Sequence, residues 1–300
     1  MKRTIVVTRP SYLKVKNSQL VLQRETETET GSIPIEDIGY LILEHPQITL
    51  THAVLYAITQ NNGVVISCDE KHLPINILHS TVGNSERNKR VRAQLSASKP
   101  LTKMLWQQTV RAKILNQAQH LEARGVANRN MHRWIKQVKS GDSDNGEAKA
   151  AAYYWKNLFA AEFKRDHKGG YRNMLLNYGY AILRAICARA LVSSGLNLTI
   201  GIFHANKYNP YCLVDDIMEP YRPYVDSLVY NIDALEDEAL ELSSADKVSL
   251  LQLQSMDVSI DGNTRPLDVA MDATASSVVA AFLGEKKQLN YPVYGQRESH

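Results

Sequence analysis

The chain has few cysteines: three in 300 residues, Cys68, Cys187 and Cys212. They are widely separated, odd in number and form no CxxC pair. This spacing argues against a framework of disulfides and against a zinc site built on thiolates. A metal bound by this chain would therefore be held by oxygen and imidazole ligands.

Long apolar runs are also missing. No segment approaches the roughly 18–20 consecutive apolar residues of a membrane-spanning helix. The N-terminus, MKRTIVVTRP, is basic, but Pro10 ends its apolar run before it reaches the length of a signal peptide. We therefore expect a cytoplasmic protein that has no membrane segment.

Several catalytic signatures are absent from the sequence. It has no GxxxxGK[ST] phosphate loop, no GxGxxG after a strand, no GxSxG elbow and no HExxH. Asp166 and His167 stand in the reverse of the His-Asp order used by HD-type phosphohydrolases. P-loop nucleotide hydrolysis, dinucleotide chemistry and serine-hydrolase chemistry are therefore not indicated.

The first 80 residues of the chain read as strands. TIVV (4–7) and VVISC (64–68) are short apolar runs typical of buried strands, and apolar residues on both sides of Asn17-Ser18 predict a hairpin. One helix, which ends at NNG (61–63), is predicted between them. This is the pattern of a small β domain that carries one helix.

Helical periodicity takes over from about residue 84. The composition, 44% hydrophobic and 22% charged, is typical of a globular protein, and 300 residues suffice for two domains. The sequence therefore predicts an α+β protein with a small N-terminal β domain (1–80), a linker (81–90) and a larger α-helical catalytic domain (91–300).

Two predicted helices of the second domain constrain its packing. The segment 173–195 is apolar nearly all round, which predicts that it is buried. Another helix begins near residue 146, where positions 147, 151, 155, 159 and 163 share one face, so Glu147 begins an inward stripe. Glu147 also follows Asp144 by three residues, as in a capping box that suits the helix dipole. The residues alone leave both roles open for Glu147.

The stretch IFHANKYNPYCLVDDIMEPYRPYVD (202–226) collects a histidine and several acids among prolines and tyrosines. His204 follows an apolar run, where a lone histidine is more often a hydrogen-bonded core residue than a ligand. Asp216 and Glu219 are three apart, which on a helix puts both carboxylates on one face, although such pairs are common on solvated faces. The stretch is either a polar loop or, with Glu147, a site of carboxylates and imidazole suited to Mg²⁺ or Mn²⁺.

A cluster of cations lies in SERNKRVR (85–92). Its basic residues are Arg87, Lys89, Arg90 and Arg92. Such a run is either a solvated face or a footprint for the phosphate backbone of a nucleic acid. The net charge of +4 is too mild to decide between the two.

The longest distinctive segments point to a known family. They are ILEHPQITLTHAVLYAITQNNGVVISCDEKHLP (42–74), LLNYGYAILRA (175–185) and HANKYNPYCLVDDIMEPYRPYVD (204–226). With the early strands, they make nearly the whole chain resemble the CRISPR-associated integrases that capture spacers, particularly those of type II systems. The resemblance implies a small β domain followed by a helical catalytic domain, which agrees with the division predicted above.

The resemblance also implies a site and a reaction. A single divalent metal, Mg²⁺ or Mn²⁺, would be held by Glu147, His204 and Glu219, with Asp216 as a supporting acid. The 3′-hydroxyls of a captured DNA duplex would attack the CRISPR leader–repeat junction by transesterification, which needs no ATP. The same chemistry would cut DNA, particularly branched forms.

The expected partners follow from the same resemblance. They are double-stranded DNA, a small adaptation partner protein in a heterohexamer, and other type II CRISPR proteins. Because the strand edges of the β domain need cover, we also expect a homodimer formed through that domain. Two other functions stay open: a catalytically silent DNA-binding scaffold of the same complex, and a metal nuclease of DNA repair.

Charge and position suggest roles for the cations and tyrosines near the site. Lys207 and Arg222 flank the acids and are expected to neutralise phosphates, while the cations of 85–92 are expected to follow the backbone of the captured duplex. Tyr178 and Tyr180 are expected in the core. Two further tyrosines, Tyr208 and Tyr211, stay open between core packing and base stacking.

Overall fold

The computed structural model describes residues 2–24, 31–70, 74–80, 84–159, 163–166, 168–232 and 241–295. The polar run ETETET (25–30) and most of the acidic segment after Ile232 lie outside the described residues. The chain divides into an N-terminal unit, Met1–Ser85, and a C-terminal unit, Glu86–His300. This division falls within the segment 81–90 that was predicted to be a linker, although its last residues already belong to a helix.

The described N-terminal unit consists of strands and one helix. They are β1 (Arg3–Val7), β2 (Tyr12–Lys16), β3 (Gln19–Gln23), β4 (Ser32–Pro34), β5 (Ile38–Leu43), β6 (Thr49–Leu50), α1 (His52–Gln60), β7 (Val64–Cys68) and β8 (Pro74–Leu78). One sheet has the order β1-β5-β7-β8, with β8 antiparallel, and the other has the order β4-β3-β2-β6.

The predicted hairpin of this unit is confirmed. Strands β2 and β3 pair antiparallel, and Asn17 and Ser18 between them have φ angles of 51° and 57°. Two consecutive residues with positive φ form the type of turn that matches the twist of the flanking strands. Leu13 and Leu20 from these strands then pack with Ile58 of α1 in the core of the unit.

The described C-terminal unit is mainly helical. Its elements are α2 (Arg87–Leu95), α3 (Lys99–Ala123), α4 (Arg129–Gln137), α5 (Gly146–Leu158), α6 (Tyr171–Ser193), α7 (Cys212–Ile217), α8 (Arg222–Asn231), α9 (Ser244–Leu251), β9 (Asp257–Ile260), β10 (Asn263–Pro266) and α10 (Leu267–Phe282). The predicted α+β class, with a β-rich unit before a helical one, is confirmed.

Helix α6 lies at the centre of the C-terminal unit, as its apolar composition predicts. Among the described residues it is the helix long and apolar enough to cross a membrane, but 78% of the window that meets this test is buried within the protein, as in the core helix of a globular domain. Tyr178 and Tyr180 are buried, which confirms their predicted core position. A Cβ at Gly179 would lie 2.5 Å from Val225 Cγ1, so glycine between the two tyrosines allows α8 to approach α6.

Helix α5 differs from its prediction in length and in its buried face. It ends at Leu158, and its buried residues are Ala150, Tyr154 and Leu158 rather than the predicted positions 151, 155 and 159. The stripe is therefore rotated by one residue. Because residues 147, 150, 154 and 158 follow one another at helical spacing of three and four, Glu147 still begins the inward face.

Candidate active site

The centre of the candidate site is a buried lysine, Lys113 of α3, which sequence reasoning missed. Its Nζ lies 2.6 Å from Oε1 of Glu147 and 2.5 Å from Oε2 of Glu219. The Lys113 side chain is only 10% exposed. Two of the predicted metal ligands, from α5 and from the turn after α7, are thus close enough to share one cationic nitrogen.

Glu147 reaches this centre because another acid caps its helix. Asp142 accepts hydrogen bonds from the backbone N–H of Gly146 at 2.8 Å and of Glu147 at 3.0 Å. Asp144 instead forms an ion pair with Lys139 at 2.7 Å. The capping-box alternative is therefore excluded, since Asp142 accepts from the free N–H groups of the first turn. The carboxylate of Glu147 is left to face Lys113.

Glu219 lies in the single turn of 3₁₀ helix Glu219–Tyr221, between α7 and α8. Its Oε1 accepts from Nη2 of Arg222 at 2.8 Å, and its side chain is 6% exposed. Burial alone would raise the pKa of Glu219, but the charges of Arg222 and Lys113 outweigh it and hold the pKa below its ordinary value. Oε2 is held by Lys113 at 2.5 Å, through charge and a side-chain hydrogen bond.

Lys113 is held in the charged state by the same neighbours. Burial lowers the pKa of Lys113, but Glu219 and Glu147 act against it more strongly, so the pKa is raised. Lys113, Arg222, Glu147 and Glu219 then form what we call the charged cluster, in which two cations balance two carboxylates. A buried group of this kind is stable only while every charge has its partner.

His204 stands beside the charged cluster and is fixed by Asp216. The Asp216 carboxylate is wholly buried and contacts Nδ1 of His204 at 2.6 Å. It also accepts from the backbone N–H groups of Ile202 at 2.6 Å and of Phe203 at 3.0 Å. A Cβ at Gly201 would lie 2.6 Å from Oδ2 of Asp216, so glycine permits the loop to close around this acid.

This geometry settles two alternatives that the sequence left open. Asp216 is not on a solvated face, because it is buried under the loop that it binds. His204 is not a core residue, because its side chain is 41% exposed. The hydrogen bond to Asp216 raises the pKa of His204 more than burial lowers it, and the charge of Glu219 raises it further. With Nδ1 engaged by a carboxylate, Nε2 is the ring nitrogen left for chemistry.

Two aromatic rings also hold His204. Phe203 lies parallel to Trp106 of α3, with ring centroids 4.3 Å apart and an interplanar angle of 2°. The His204 ring meets both of them edge-on, at centroid distances of 5.7 Å and 5.4 Å. Helix α3 thus contributes twice to the site, through Trp106 and, two turns later on the same face, through Lys113.

Whether these residues suit a divalent metal can be judged from the donors. Among the described residues, no three acid, histidine or cysteine side chains are placed closely enough to bind a metal ion. The position between Glu147 and Glu219 is taken by the ammonium of Lys113. Two carboxylates and one imidazole are nevertheless a donor set suited to Mg²⁺ or Mn²⁺. The residues therefore fit such an ion, provided that Lys113 moves aside.

The cations predicted beside the site have different surroundings. Arg222 is bound to Glu219 and lies with its guanidinium 4.7 Å from the centroid of the Tyr180 ring, so it belongs to the charged cluster. Lys207 is exposed on the loop after His204, and its Nζ lies 4.7 Å from the centroid of the Tyr208 ring. Tyr208 is itself exposed, so the core alternative is excluded for it.

The cations of 85–92 lie on α2. Arg90, Lys89 and Arg92 differ in the groups that they contact. Arg90 donates from Nη1 to the carbonyl of Ser194 at 3.0 Å, so it anchors α2 to the end of α6. Lys89 pairs with Glu86 at 3.2 Å on an exposed face, and Arg92 donates to Asn88 at 2.9 Å, also in an exposed position. Lys89 and Arg92 remain available to a phosphate backbone, whereas Arg90 has a structural contact.

A second polar cluster, also missed in the sequence, lies behind Tyr180. His120 contacts the hydroxyl of Tyr154 through Nδ1 at 2.7 Å, and Tyr154 donates to Asp226 at 2.9 Å. Tyr180 donates to the other oxygen of Asp226 at 2.5 Å. We call these residues the neutral cluster, because burial raises the pKa of Asp226 to about 7 and lowers the pKa of His120 to about 3.

Comparisons with known proteins identify the family of the chain. The family model described as "CRISPR associated protein Cas1" matches residues 4–239 of the chain. A CRISPR-associated endonuclease Cas1 from Neisseria meningitidis serogroup C (strain 8013) is 33% identical over 293 residues, which cover 97% of this chain and 95% of that relative.

Solved structures show the same fold at lower identity. A casposase bound to integration product matches with a TM-score of 0.80 and 18% identity, covering 100% of this chain and 96% of the casposase chain. A chain of a Cas6-RT-Cas1–Cas2 complex matches with a TM-score of 0.75 and 19% identity, covering 99% of this chain and 36% of that one. The fold, the family model and the relative from Neisseria agree, and the chain belongs to the Cas1 family of CRISPR-associated proteins.

Proposed function

We propose that this protein is a metal-dependent DNA integrase and endonuclease that joins the 3′-hydroxyl ends of captured duplexes to a CRISPR array. The observation that carries the proposal is the meeting of Glu147 and Glu219 on one cationic nitrogen beside the exposed ring of His204. Such a site can accept a divalent cation and sits in a chain of the Cas1 family. A CRISPR-associated endonuclease as the nearly full-length relative supports the reaction class.

Three residues would hold the metal, Mg²⁺ or Mn²⁺. They are Glu147 and Glu219, through the oxygens that now face Lys113, and His204, through Nε2. When bound, the ion stabilises negative charge on the phosphate and makes a hydroxyl or water a better nucleophile. This requirement would account for the two carboxylates that meet at Lys113 beside the exposed ring of His204.

The remaining residues position the reacting groups. Asp216 accepts a hydrogen bond from Nδ1–H of His204, which fixes the direction of the ring and places the lone pair of the neutral imidazole on Nε2. That lone pair can bind the cation or take the proton of the attacking hydroxyl. Arg222 stays beside Glu219 and adds positive charge next to the phosphate as its negative charge increases.

The bond changes balance without a further reactant. The 3′-oxygen of the captured strand forms a new bond to phosphorus, and the 3′-oxygen of the cleaved target strand leaves. One phosphodiester replaces another, so no ATP is consumed, in agreement with the absent phosphate loop. Attack by water in place of the 3′-hydroxyl gives DNA cleavage.

The proposed partners are DNA and other adaptation proteins. A casposase bound to integration product and a Cas6-RT-Cas1–Cas2 complex share the fold, which supports DNA as substrate and a small adaptation partner. We further propose that the DNA is double-stranded and that the assembly is a heterohexamer. A homodimer through the β domain, action at a type II leader–repeat junction with other CRISPR proteins, and a cytoplasmic location complete the proposal.

A strand-transfer assay tests the proposed function. Purified protein, with and without the small partner, is mixed with a short duplex bearing free 3′-hydroxyls and a supercoiled plasmid that carries a leader and a repeat. We expect covalent joining that requires Mg²⁺ or Mn²⁺ and is lost in Glu147→Gln and Glu219→Gln. Asp144→Asn is the matched control, because this acid lies just before α5 but pairs with Lys139 outside the site.

The alternatives give different results in the same assay. Binding of the duplex with neither joining nor cleavage under any metal would support a silent scaffold. Metal-dependent cleavage without joining at the leader–repeat junction would support a repair nuclease. Full activity of Glu219→Gln, or joining in the presence of a chelator, would contradict the proposed metal site.

A further inference from the structure

The charged cluster has no charge left to neutralise. Lys113 and Arg222 carry two positive charges, and Glu147 and Glu219 carry two negative ones. A divalent ion placed between the two carboxylates would therefore add to a cluster that is already balanced. It would also lie within a few ångströms of the ammonium of Lys113, where like charges repel strongly because little water is present to screen them.

One of the two cations must give way to an incoming ion, and the contacts show which one. Arg222 is held by Oε1 of Glu219, three residues away on the same turn, and by the face of the Tyr180 ring. Lys113 is held by the two carboxylates that would bind the ion, at the end of a flexible side chain from α3. The ion would thus remove both partners of Lys113 and leave those of Arg222 in place.

We propose that Lys113 holds the cation position of this site in the metal-free protein, and that a divalent ion binds by exchange for its ammonium. The proposal rests on the proposed metal-dependent function and adds the residue that sets how tightly the metal is held. Lys113 holds the carboxylates of Glu147 and Glu219 close together, so the ligands are in place before the ion arrives. Its displacement is the cost that weakens metal binding.

Substitution of Lys113 tests whether its ammonium competes with the metal ion. Lys113→Met keeps the length of the side chain and removes the charge, so the metal no longer competes with an ammonium. We expect this variant to bind Mn²⁺ at least about 10-fold more tightly than the wild type. Lys113→Arg keeps the charge and can pair with carboxylates through two N–H groups, so we expect weaker Mn²⁺ binding than in the wild type.

The experiment is a titration of the full chain with Mn²⁺ alone, without DNA. Calorimetry and the electron paramagnetic resonance signal of free Mn²⁺ measure the binding. Lys149→Met is the matched control, because Lys149 is an exposed lysine of α5 that lies over the Trp134 ring, away from the acids. Glu219→Gln is included to identify the site. Circular dichroism shows whether each variant is folded.

The outcomes distinguish this proposal from the function on which it rests. If Mn²⁺ binding depends on Glu219 but a folded Lys113→Met binds no more tightly than the wild type, the exchange is overturned while the metal site stands. If no binding depends on Glu219, the metal site and the exchange both fail. Should Lys113→Met not fold, Lys113→Arg decides, since equal or tighter Mn²⁺ binding by that variant would also overturn the exchange.

Discussion

Two histidines of the C-terminal unit, His204 and His120, lie in neighbouring polar clusters that neutralise buried charge in opposite ways. In the charged cluster and its neighbour His204, carboxylates are matched by ammonium, guanidinium and imidazole groups. In the neutral cluster, His120 and Asp226 face phenol hydroxyls. Charged partners thus surround the carboxylates of the first cluster, whereas the carboxyl group of the second lies among phenol hydroxyls.

The difference shows that burial and the charge of the partner together set the pKa of a buried group. A carboxylate next to His204 raises its pKa, whereas burial and the nearby Arg124 lower the pKa of His120 to about 3. Glu219 has two cations and a lowered pKa, whereas Asp226 has two phenols and a pKa of about 7.

The two clusters still touch through one residue. Tyr180 donates to Asp226 and presents its ring to Arg222. The neutral cluster thus supports the position of Arg222, and through it that of Glu219, without supplying a charge. We infer a structural task for the neutral cluster, and the following variants test this contrast, beginning with the largest expected effect.

Removal of each histidine gives the largest contrast. We expect His204→Ala to lower the rate of strand transfer by about 10²- to 10⁴-fold, because it removes a metal ligand or proton acceptor at the reacting phosphate. His120→Asn can still donate to Tyr154 and should keep most of the activity. Joining rates of the two purified variants under identical Mg²⁺ concentrations make the comparison, and similar losses in both would end the distinction between the clusters.

Replacing Arg222 or Arg124 compares how much each cluster contributes to the free energy of unfolding. Arg222→Met leaves Glu219 with one fewer cation and takes the guanidinium from the Tyr180 ring, so we expect a loss of about 3–5 kcal/mol in the free energy of unfolding. Arg124→Met removes an arginine over the Tyr230 ring at the edge of the neutral cluster and should cost about 1 kcal/mol or less. Urea unfolding at neutral pH measures both, and equal losses would contradict the assignment.

The pH dependence of stability tests the neutral state of Asp226. Its pKa is about 7 in the folded protein, above the ordinary 3.8. Between these values the folded protein holds a proton that the unfolded chain has released, so the contribution of this residue falls as the pH rises from about 4 to about 7. Asp226→Asn imitates the protonated acid and should remove this part of the slope.

Thermal melting of the wild type and of Asp226→Asn from pH 4 to 8 measures this effect as the difference between two curves. The contribution of His120 has the opposite slope, because its folded pKa is lowered, and it is common to both proteins. Parallel curves would mean that Asp226 is ionised throughout, and that the second cluster is charged like the first.

The smallest expected effect is the difference between the pKa values of the two imidazoles, which direct titration measures. We expect His204 to titrate above its ordinary value of 6.5, because its hydrogen bond to Asp216 stabilises the protonated ring. His120, with a pKa of about 3, should not titrate between pH 5 and pH 9. Nuclear magnetic resonance of the imidazole protons, assigned with His204→Ala and His120→Asn, records both. A His204 pKa below 6.5 would contradict the carboxylate contact.

Much of the fold could be predicted because it depends on neighbours in the chain. The turn at Asn17-Ser18 and the burial of α6 follow from local conformational preference and periodicity. The cap of α5 could not be predicted in this way, because Asp142 reaches it across a left-handed Asn145. Its inward face was misplaced by one residue for a related reason, since apolar side chains occur on adjacent faces of that helix.

Some residues of the candidate site could be predicted from the sequence, and one could not. Glu147, His204, Asp216 and Glu219 could be proposed from their motifs, and the structure brings them to one region. Lys113 could not, since a single lysine in a long amphipathic helix is ordinarily a solvent-facing residue. The spacing does carry a signal. Lys113 follows the buried Trp106 by seven residues and precedes the buried Gln117 by four, so it lies on the inward face of α3.

By itself the sequence determined the order and type of most elements, the α+β class and the acids and histidine that resemble an integrase site. Those features depend on the residue types within short segments. Only the tertiary structure decided which charges meet: that Lys113 lies between Glu147 and Glu219, that Asp216 is buried against His204, and that Asp226 is surrounded by phenols. The reason is physical, since the energy of a buried charge depends on groups a few ångströms away in space, and these come from residues far apart in the chain.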